Sequence, residues 1–363
     1  MAAMDFFDAK GRVAANGADG ENRNETEGNL LSCTPDARRP GGEGYTAFVL
    51  SGGGAMGAIQ VGALLALLER GERPDVIVGT SIGAWNGAWL ARTPTLAGVE
   101  ALAEAWRAVH TARVLLARER PMAGPAQALS GMLVLAAAQR VTLGYPSLYS
   151  SAGVRGLLEQ HLGDGTFEDM ELPLRVIATN ITRGTREVFT SGPLVPAVLA
   201  SSAIPGVFPP VRIGADLYVD GGALDNCSID TALRLGARRI FVIDVGYDRD
   251  GEGDDPWPAM LEAKGERISG LSVHALVAVL ARTGQIISHY QLSQALERLP
   301  QGVEAHVIRL SNGGSGSALD FANVAGWIEH GYASAGAYLR TAEPIIGTAD
   351  SWYGAWLPEA TSA

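Results

Sequence analysis

Residues 48–71 read FVLSGGGAMGAIQVGALLALLERG, and residues 75–91 read DVIVGTSIGAWNGAWLA. Both pass from a short apolar, β-branched run through small residues into a stretch with helical spacing. In the first, Gly52, Gly53 and Gly54 separate the strand pattern from the helix pattern, and Gly57 closes the motif. In the second, the strand pattern breaks at Gly79-Thr80-Ser81-Ile82-Gly83. Successive strand–turn–helix units of this kind predict an α/β sheet in which the two turns lie one strand apart.

Working outward, the alternation continues. Strands are expected at Tyr45–Leu50, Val76–Val78, Leu174–Ala178, Arg186–Thr190, Ile240–Val245 and Val303–Leu310. Helices are expected at Ala58–Arg70, onward from Ile82, at Leu271–Leu280 and at Phe321–Leu339, with a loop at 313–316. This order implies a mostly parallel sheet covered on both faces. Residues 1–44 are too polar and too poor in aromatic and β-branched residues to offset the entropy of ordering, so a disordered leader is expected there. Residues 45–345 are expected to form the main folded domain and 346–363 a tail. Within the domain, residues 91–150 are read as a helical insertion, because the segment from Ala91 to Gln139 shows no strand pattern and carries more Arg than Glu. It is either a helical layer packed on the sheet or a lid that presents an apolar, basic face to lipid.

Composition excludes several functions. A formal charge of −11 over 363 residues opposes nucleic-acid binding, which needs a basic face. Cys33 and Cys227 cannot make a disulfide framework. The first residues lack the flanks of a secretory signal, and the longest apolar stretch, Met122–Ala138, is interrupted by Gly124, Pro125, Gln127 and Ser130. A soluble, cytoplasmic protein is therefore expected. Without a secretory signal, the N-x-[ST] matches at Asn24, Asn180 and Asn226 carry no weight. No metal and no cofactor is expected: H-x-x-x-H and C-x-x-C patterns are missing, and the acidic run 250–255 reads as a solvated loop.

The glycine run also fits the dinucleotide pattern G-x-G-x-x-G, but the second strand holds its acid, Asp75, at the wrong end to grip a ribose. Gly79-x-Ser81-x-Gly83 fits a nucleophile elbow, in which a strained serine projects from a strand-to-helix turn. A serine that attacks an ester carbonyl needs donors for the oxyanion. The bare amides of Gly52, Gly53 and Gly54, at a helix N-terminus, are candidates. None of His110, His161, His274, His289, His306 and His330 sits in a strand-end loop suited to a catalytic base. Asp220, followed by Gly221 and Gly222, closes the strand-like run LYV. It is either a site acid at a strand exit or an Asp-Gly hairpin turn.

Taken together, SGGGAMG at 51–57, GTSIG at 79–83, ASSAIPGVFPPV at 200–211 and DGG at 220–222 resemble the patatin-like phospholipases over about Tyr45–Tyr247. The resemblance implies a three-layer α/β/α fold and a lipid acyl hydrolase with a Ser-Asp dyad and no catalytic histidine. By matching motif, Ser81 is the nucleophile, Asp220 the general base, and Gly52, Gly53 and Gly54 the oxyanion hole. Met56 stands where many members carry Arg or Lys, which weakens the expectation of an anionic head group. An ordinary Asp titrates near 4, so Asp220 needs burial to become an effective base. In 200–211 the small-residue helix is expected to stop at Ile204-Pro205, with Val207 and Phe208 either as scaffold or as the wall of an acyl pocket. The implied partner is a lipid or other acyl ester, with peripheral membrane contact. The rivals are an acyltransferase working through the same acyl-serine, a Ser-His-Asp esterase, and a lipid-binding protein without activity.

Overall fold

The computed structural model of the chain describes residues 44–117, 126–245, 273–310 and 321–349. All but the end of the expected leader, Cys33, the loops at 250–255 and 313–316, and most of the tail lie outside the described residues. The chain opens with β1 (Thr46–Leu50), α1 (Gly57–Glu69), β2 (Val76–Thr80) and α2 (Ile82–Arg92). Four helices follow: α3 (Leu96–Arg107), α4 (Thr111–Leu116), α5 (Ala126–Thr142) and α6 (Ala152–Leu162). Then come β3 (Leu174–Asn180), β4 (Thr185–Phe189), α7 (Leu194–Ser201), β5 (Val211–Ile213), β6 (Asp216–Asp220), α8 (Ile229–Arg234) and β7 (Arg239–Asp244). The last described elements are α9 (Val273–Glu297), β8 (Glu304–Arg309), α10 (Val324–Thr341) and β9 (Ile345–Ile346).

The strands form one sheet in the order β5-β6-β3-β2-β1-β7-β8-β9, with β4 also on β3. The middle five are parallel. Antiparallel pairing is confined to the flanks, where β5 and β6 are joined by Gly214-Ala215 and β9 turns back on β8. Parallel neighbours need helical crossovers, and a two-residue link permits only an antiparallel pair. Pleating sends alternate side chains to opposite faces. Phe48 and Leu50 pack with α1, α2, α3, α6, α7 and α10, while Ala47 and Val49 pack with α8 and α9. The sheet is thus the middle of three layers, as expected.

Helix α1 is apolar all round and almost wholly buried, which suits a position between the sheet and α10. Gly62 and Gly331 permit that contact, since a Cβ on either would lie 2.0 Å from a carbonyl oxygen of the other helix. Two boundaries differ from expectation. Helix α9 runs well past Leu280 to Glu297, and α7 ends at Ser201, before Ile204-Pro205. Among the described residues no helix is long and apolar enough to cross a membrane.

Candidate active site

Ser81 lies between β2 and α2 with φ 55 and ψ −122. Such a backbone costs a non-glycine residue about 1–3 kcal/mol and persists only where surroundings enforce it. Here the Ser81 N–H donates to Ser201 Oγ at 2.8 Å, and that hydroxyl donates to Ile177 O at 2.6 Å. The flanking glycines allow the sharp turn to sit against the sheet. A Cβ on Gly83 would come within 2.2 Å of Leu50 O, and one on Gly79 within 2.4 Å of Gly83 O. Ser81 consequently faces a cavity above the strand ends.

Strand β3 brings Asp220 to the same point. Val176 pairs with Gly79 on one edge and Phe189 on the other, while Ala178 pairs with Asp220 and Glu187. Since β4 holds the second edge throughout, β6 occupies the stretch of the first edge that lies beyond the end of β2. Thr80 is opposite Ile177 and Asp220 opposite Ala178, so two carboxyl-terminal strand ends meet head to head. At this junction the Ser81 side chain comes close enough to the Asp220 carboxylate to favour its ionised form. Asp220 Oδ1 also accepts from Gly222 N at 2.8 Å, and its own N–H donates to Ala203 O at 2.9 Å. Desolvation dominates over these hydrogen bonds and pushes the Asp220 carboxyl up to about 6. The DGG sequence forms a 3-10 turn and no hairpin, with Gly221 tight against Ile177 O.

The three glycines of the first motif divide. Gly52 N donates to Asn226 Oδ1 at 2.9 Å, and Asn226 Nδ2 donates back to Gly52 O at 3.4 Å. The Gly52 amide, expected in an oxyanion hole, has Asn226 Oδ1 as its acceptor in this structure. What Gly52 supplies is closeness: a Cβ there would lie 2.9 Å from Ser81 Cβ and 2.5 Å from Asn226 Oδ1. The N–H groups of Gly53 and Gly54 have no acceptor among the described residues, and Gly54, at φ 59, lines the cavity beside Ser81. Gly57 packs against Ile82 and Trp106, and Met56 is buried in the core.

Several polar residues that support the site escape a reading of motifs. Gln60 Nε2 donates to Ser51 O at 2.8 Å, Asn86 Nδ2 to Gln60 Oε1 at 3.0 Å, and Trp106 Nε1 to Asn86 Oδ1 at 2.9 Å. The signal for Gln60 and Asn86 was available, since each is an amide inside an otherwise apolar helix run. Asn226 stands out in sequence only as part of an N-x-[ST] match. Its segment is anchored by Arg186 on β4, which pairs with both Asp225 and Asp230 and donates to Ser228 Oγ.

The cavity is narrow, about 60 Å³, and almost entirely apolar. Ile82 and Trp85 of α2, Leu102 and Trp106 of α3, Val114 of α4 and Leu157 of α6 face it. Phe208 and Phe321 complete the wall, whereas Val207 packs into the core instead. No histidine among the described residues lines it. His306 stacks on Phe241 at 4.5 Å, His110 caps α4 through Nδ1, and His161 packs against the rings of Trp85 and Trp89. Among the described residues no group of three or more His, Cys, Asp or Glu could hold a metal.

The profile of the family described as "Patatin-like phospholipase" matches residues 48–233, just over half of the chain. The chain belongs to this family. The patatin-like segment contains both Ser81 and Asp220. Patatin-like phospholipase domain-containing protein 7 of Rattus norvegicus is 34% identical over 204 residues, 55% of this chain and 13% of that protein. Lysophospholipase nte1 of Aspergillus terreus is 34% identical over 213 residues, 57% of this chain and 12% of that protein. The matched region is thus about an eighth of the length of these patatin-like relatives. Among solved structures, VipD from Legionella pneumophila is similar, with 17% identity and a TM-score of 0.43, covering 82% of this chain and 67% of that one.

Proposed function

We propose that the chain is a serine lipid acyl hydrolase with a Ser81–Asp220 dyad. The observation that carries this reading is the meeting of a strained serine and a buried carboxylate at two strand ends beside an apolar cavity. Ser81 Oγ attacks the acyl carbonyl carbon and its proton passes to Asp220. The tetrahedral oxyanion is held by the N–H groups of Gly53 and Gly54. Collapse expels the alcohol, which takes the proton from Asp220 and leaves an acyl ester on Ser81. Water then attacks this ester, giving its proton to Asp220, and the acid leaves as the proton returns to Ser81. A carboxyl titrating at about 6 rather than near 4 is the better match for accepting a serine proton near neutrality.

The apolar wall suits an acyl chain, while its volume falls below the 300–1,000 Å³ usual for small-molecule pockets. Admitting a chain of many carbons therefore requires the wall to part. The stacked Trp106 and Phe321, 6.2 Å apart, are the place for this, with α3 and α4 of the 91–150 insertion, and α6 just after it, acting as the cover. The experiment is product analysis of lysophosphatidylcholine incubated with the protein and with Ser81→Ala. Free fatty acid should appear only with the unsubstituted chain, and a fluorophosphonate should label it alone. Diacyl product in place of fatty acid would make the chain an acyltransferase, and equal release by Ser81→Ala would end the proposal.

A further inference from the structure

Two surfaces tied to the site have a composition that the reaction itself does not use. The chain contains 39 Asp and Glu residues, yet its two longest runs without either are residues 120–158 and 267–296. Seven of the eleven large hydrophobic side chains exposed among the described residues fall in these runs. Leu135, Val141, Leu143 and Tyr145 belong to α5 and the turn that follows, and Ile286, Ile287 and Tyr290 to adjacent turns of α9. Leu143 is 64% exposed and Tyr290 62%. Single exposed apolar residues are ordinary in any protein, but clusters confined to acid-free segments of an acidic chain are not.

Each cluster is fastened to a different side of the site. After the α5 turn, Leu148 N and Tyr149 N donate to Gly206 O and Val207 O, each at 2.9 Å, next to the Phe208 that walls the cavity. Arg140 secures this return by donating to Ser147 O at 3.1 Å, and its guanidinium lies 4.3 Å over the Tyr145 ring. On the other side, Gln291 of α9 donates to Leu224 O at 2.7 Å, directly after the Asp220 turn.

We propose that the exposed apolar residues of the α5 turn and of α9 are the contacts by which the enzyme docks on a phospholipid surface. The inference rests on the lipid acyl hydrolase reading above. Leucine, isoleucine and tyrosine gain by leaving water for the boundary between head groups and acyl chains, and an arginine stacked on a tyrosine suits that boundary. Carboxylates would be repelled by lipid phosphates, and these two runs are where the chain omits them. A second copy of the chain could cover apolar residues equally well, but self-association gives no reason to exclude acids from both segments.

The test uses the full chain with Ser81→Ala, so that binding is read without turnover, and phosphatidylcholine vesicles in a flotation gradient. The protein should float with the vesicles. Leu143→Asp with Tyr145→Asp, and separately Ile287→Asp with Tyr290→Asp, should each lower the bound fraction at least fivefold. In the Ser81 background the same pairs should lose hydrolysis of vesicle lipid while keeping turnover of a soluble short-chain ester within twofold. Failure of the parent to float, or undiminished flotation of both double variants, overturns the proposal. So does light scattering that finds a dimer which the substitutions dissociate. Absence of soluble-ester turnover in the unsubstituted chain would instead strike the hydrolase reading, since flotation does not depend on it.

Discussion

Ser81 ends a central strand with parallel neighbours on both edges, whereas Asp220 ends a short antiparallel strand towards the rim of the sheet. The two halves are held by different forces. Around Ser81 the constraint is steric, with glycines pressed against carbonyl oxygens of β1 and α2. Around Asp220 it is polar: Asn226 reaches across to Gly52, Arg186 clamps Asp225 and Asp230, and Ala203 O receives the Asp220 N–H. A site assembled in this way should tolerate changes on its two sides unequally. Substitutions on the Asp220 side test that difference most directly, because they remove bonds without forcing the backbone to move.

The largest effect is expected at the carboxylate itself. Asp220→Asn should lower kcat by about 10²–10⁴-fold on a soluble ester, the range for loss of a general base. In the unsubstituted enzyme kcat/KM should rise with pH through about 6 and level off above, because the ionised form accepts the proton. Asp220→Asn should flatten that limb, and a residual activity with an unchanged limb would remove Asp220 from the mechanism. Stability should respond in the opposite sense. The folded state binds the Asp220 proton more tightly than the unfolded chain, so ionised Asp220 destabilises the fold above pH 6, and this penalty vanishes below about 3.8. Asp220→Asn should therefore melt higher than the parent at pH 8, by the equivalent of about 1–3 kcal/mol, and lose this advantage near pH 4.

Next comes the tie between the two halves. Asn226→Ala removes both hydrogen bonds to Gly52 and leaves a buried amide without its acceptor. Such a loss costs about 1–3 kcal/mol in stability. If Asn226 fixes the glycine loop against Ser81, kcat should fall about 10- to 100-fold with KM little changed. A fall in melting temperature with unaltered kcat in the folded fraction would make Asn226 a structural residue only.

These residues also mark how far the site could be read in the sequence. The serine half is legible because the glycines that permit the close approach lie in the motifs themselves, although the Ser201 hydroxyl that accepts the Ser81 N–H comes from far along the chain. Asp220 was ambiguous between a site acid and a hairpin turn. Its position depends on β3 pairing β2 along one part of an edge and β6 along the next, a register that no local pattern records. The same holds for the antiparallel rims and for Asn226, whose partner is 174 positions away. Gly52 shows the converse: the motif located it correctly beside Ser81 but could not reveal that a distant amide takes its N–H. The parallel core, in contrast, followed from apolar runs alternating with helical spacing, since buried parallel strands must be apolar on both faces.

A smaller effect is expected at the cavity wall. Phe208→Leu keeps the site apolar while adding a little space, so the preference between short and long acyl chains should move several-fold towards the longer, with turnover of the shortest ester nearly unchanged. Unaltered chain-length selectivity would return Phe208 to a purely structural role beside Val207.

The smallest effect is expected at the histidines, and there a null result carries the most meaning. His161 is separated from the cavity by the Trp85 ring, 6.1 Å between centroids, and burial together with the Arg113 charge holds its imidazole below the ordinary range. His306 points its ring onto Phe241 from β8, three strands away from β2. Neither lines the cavity that the Ser81 side chain faces, whereas Asp220 ends the strand that meets it. Replacing either by Asn should leave kcat/KM within about twofold at pH 8. A triad histidine would cost at least a thousandfold when removed, a gap wide enough to separate a two-residue from a three-residue mechanism in a single assay.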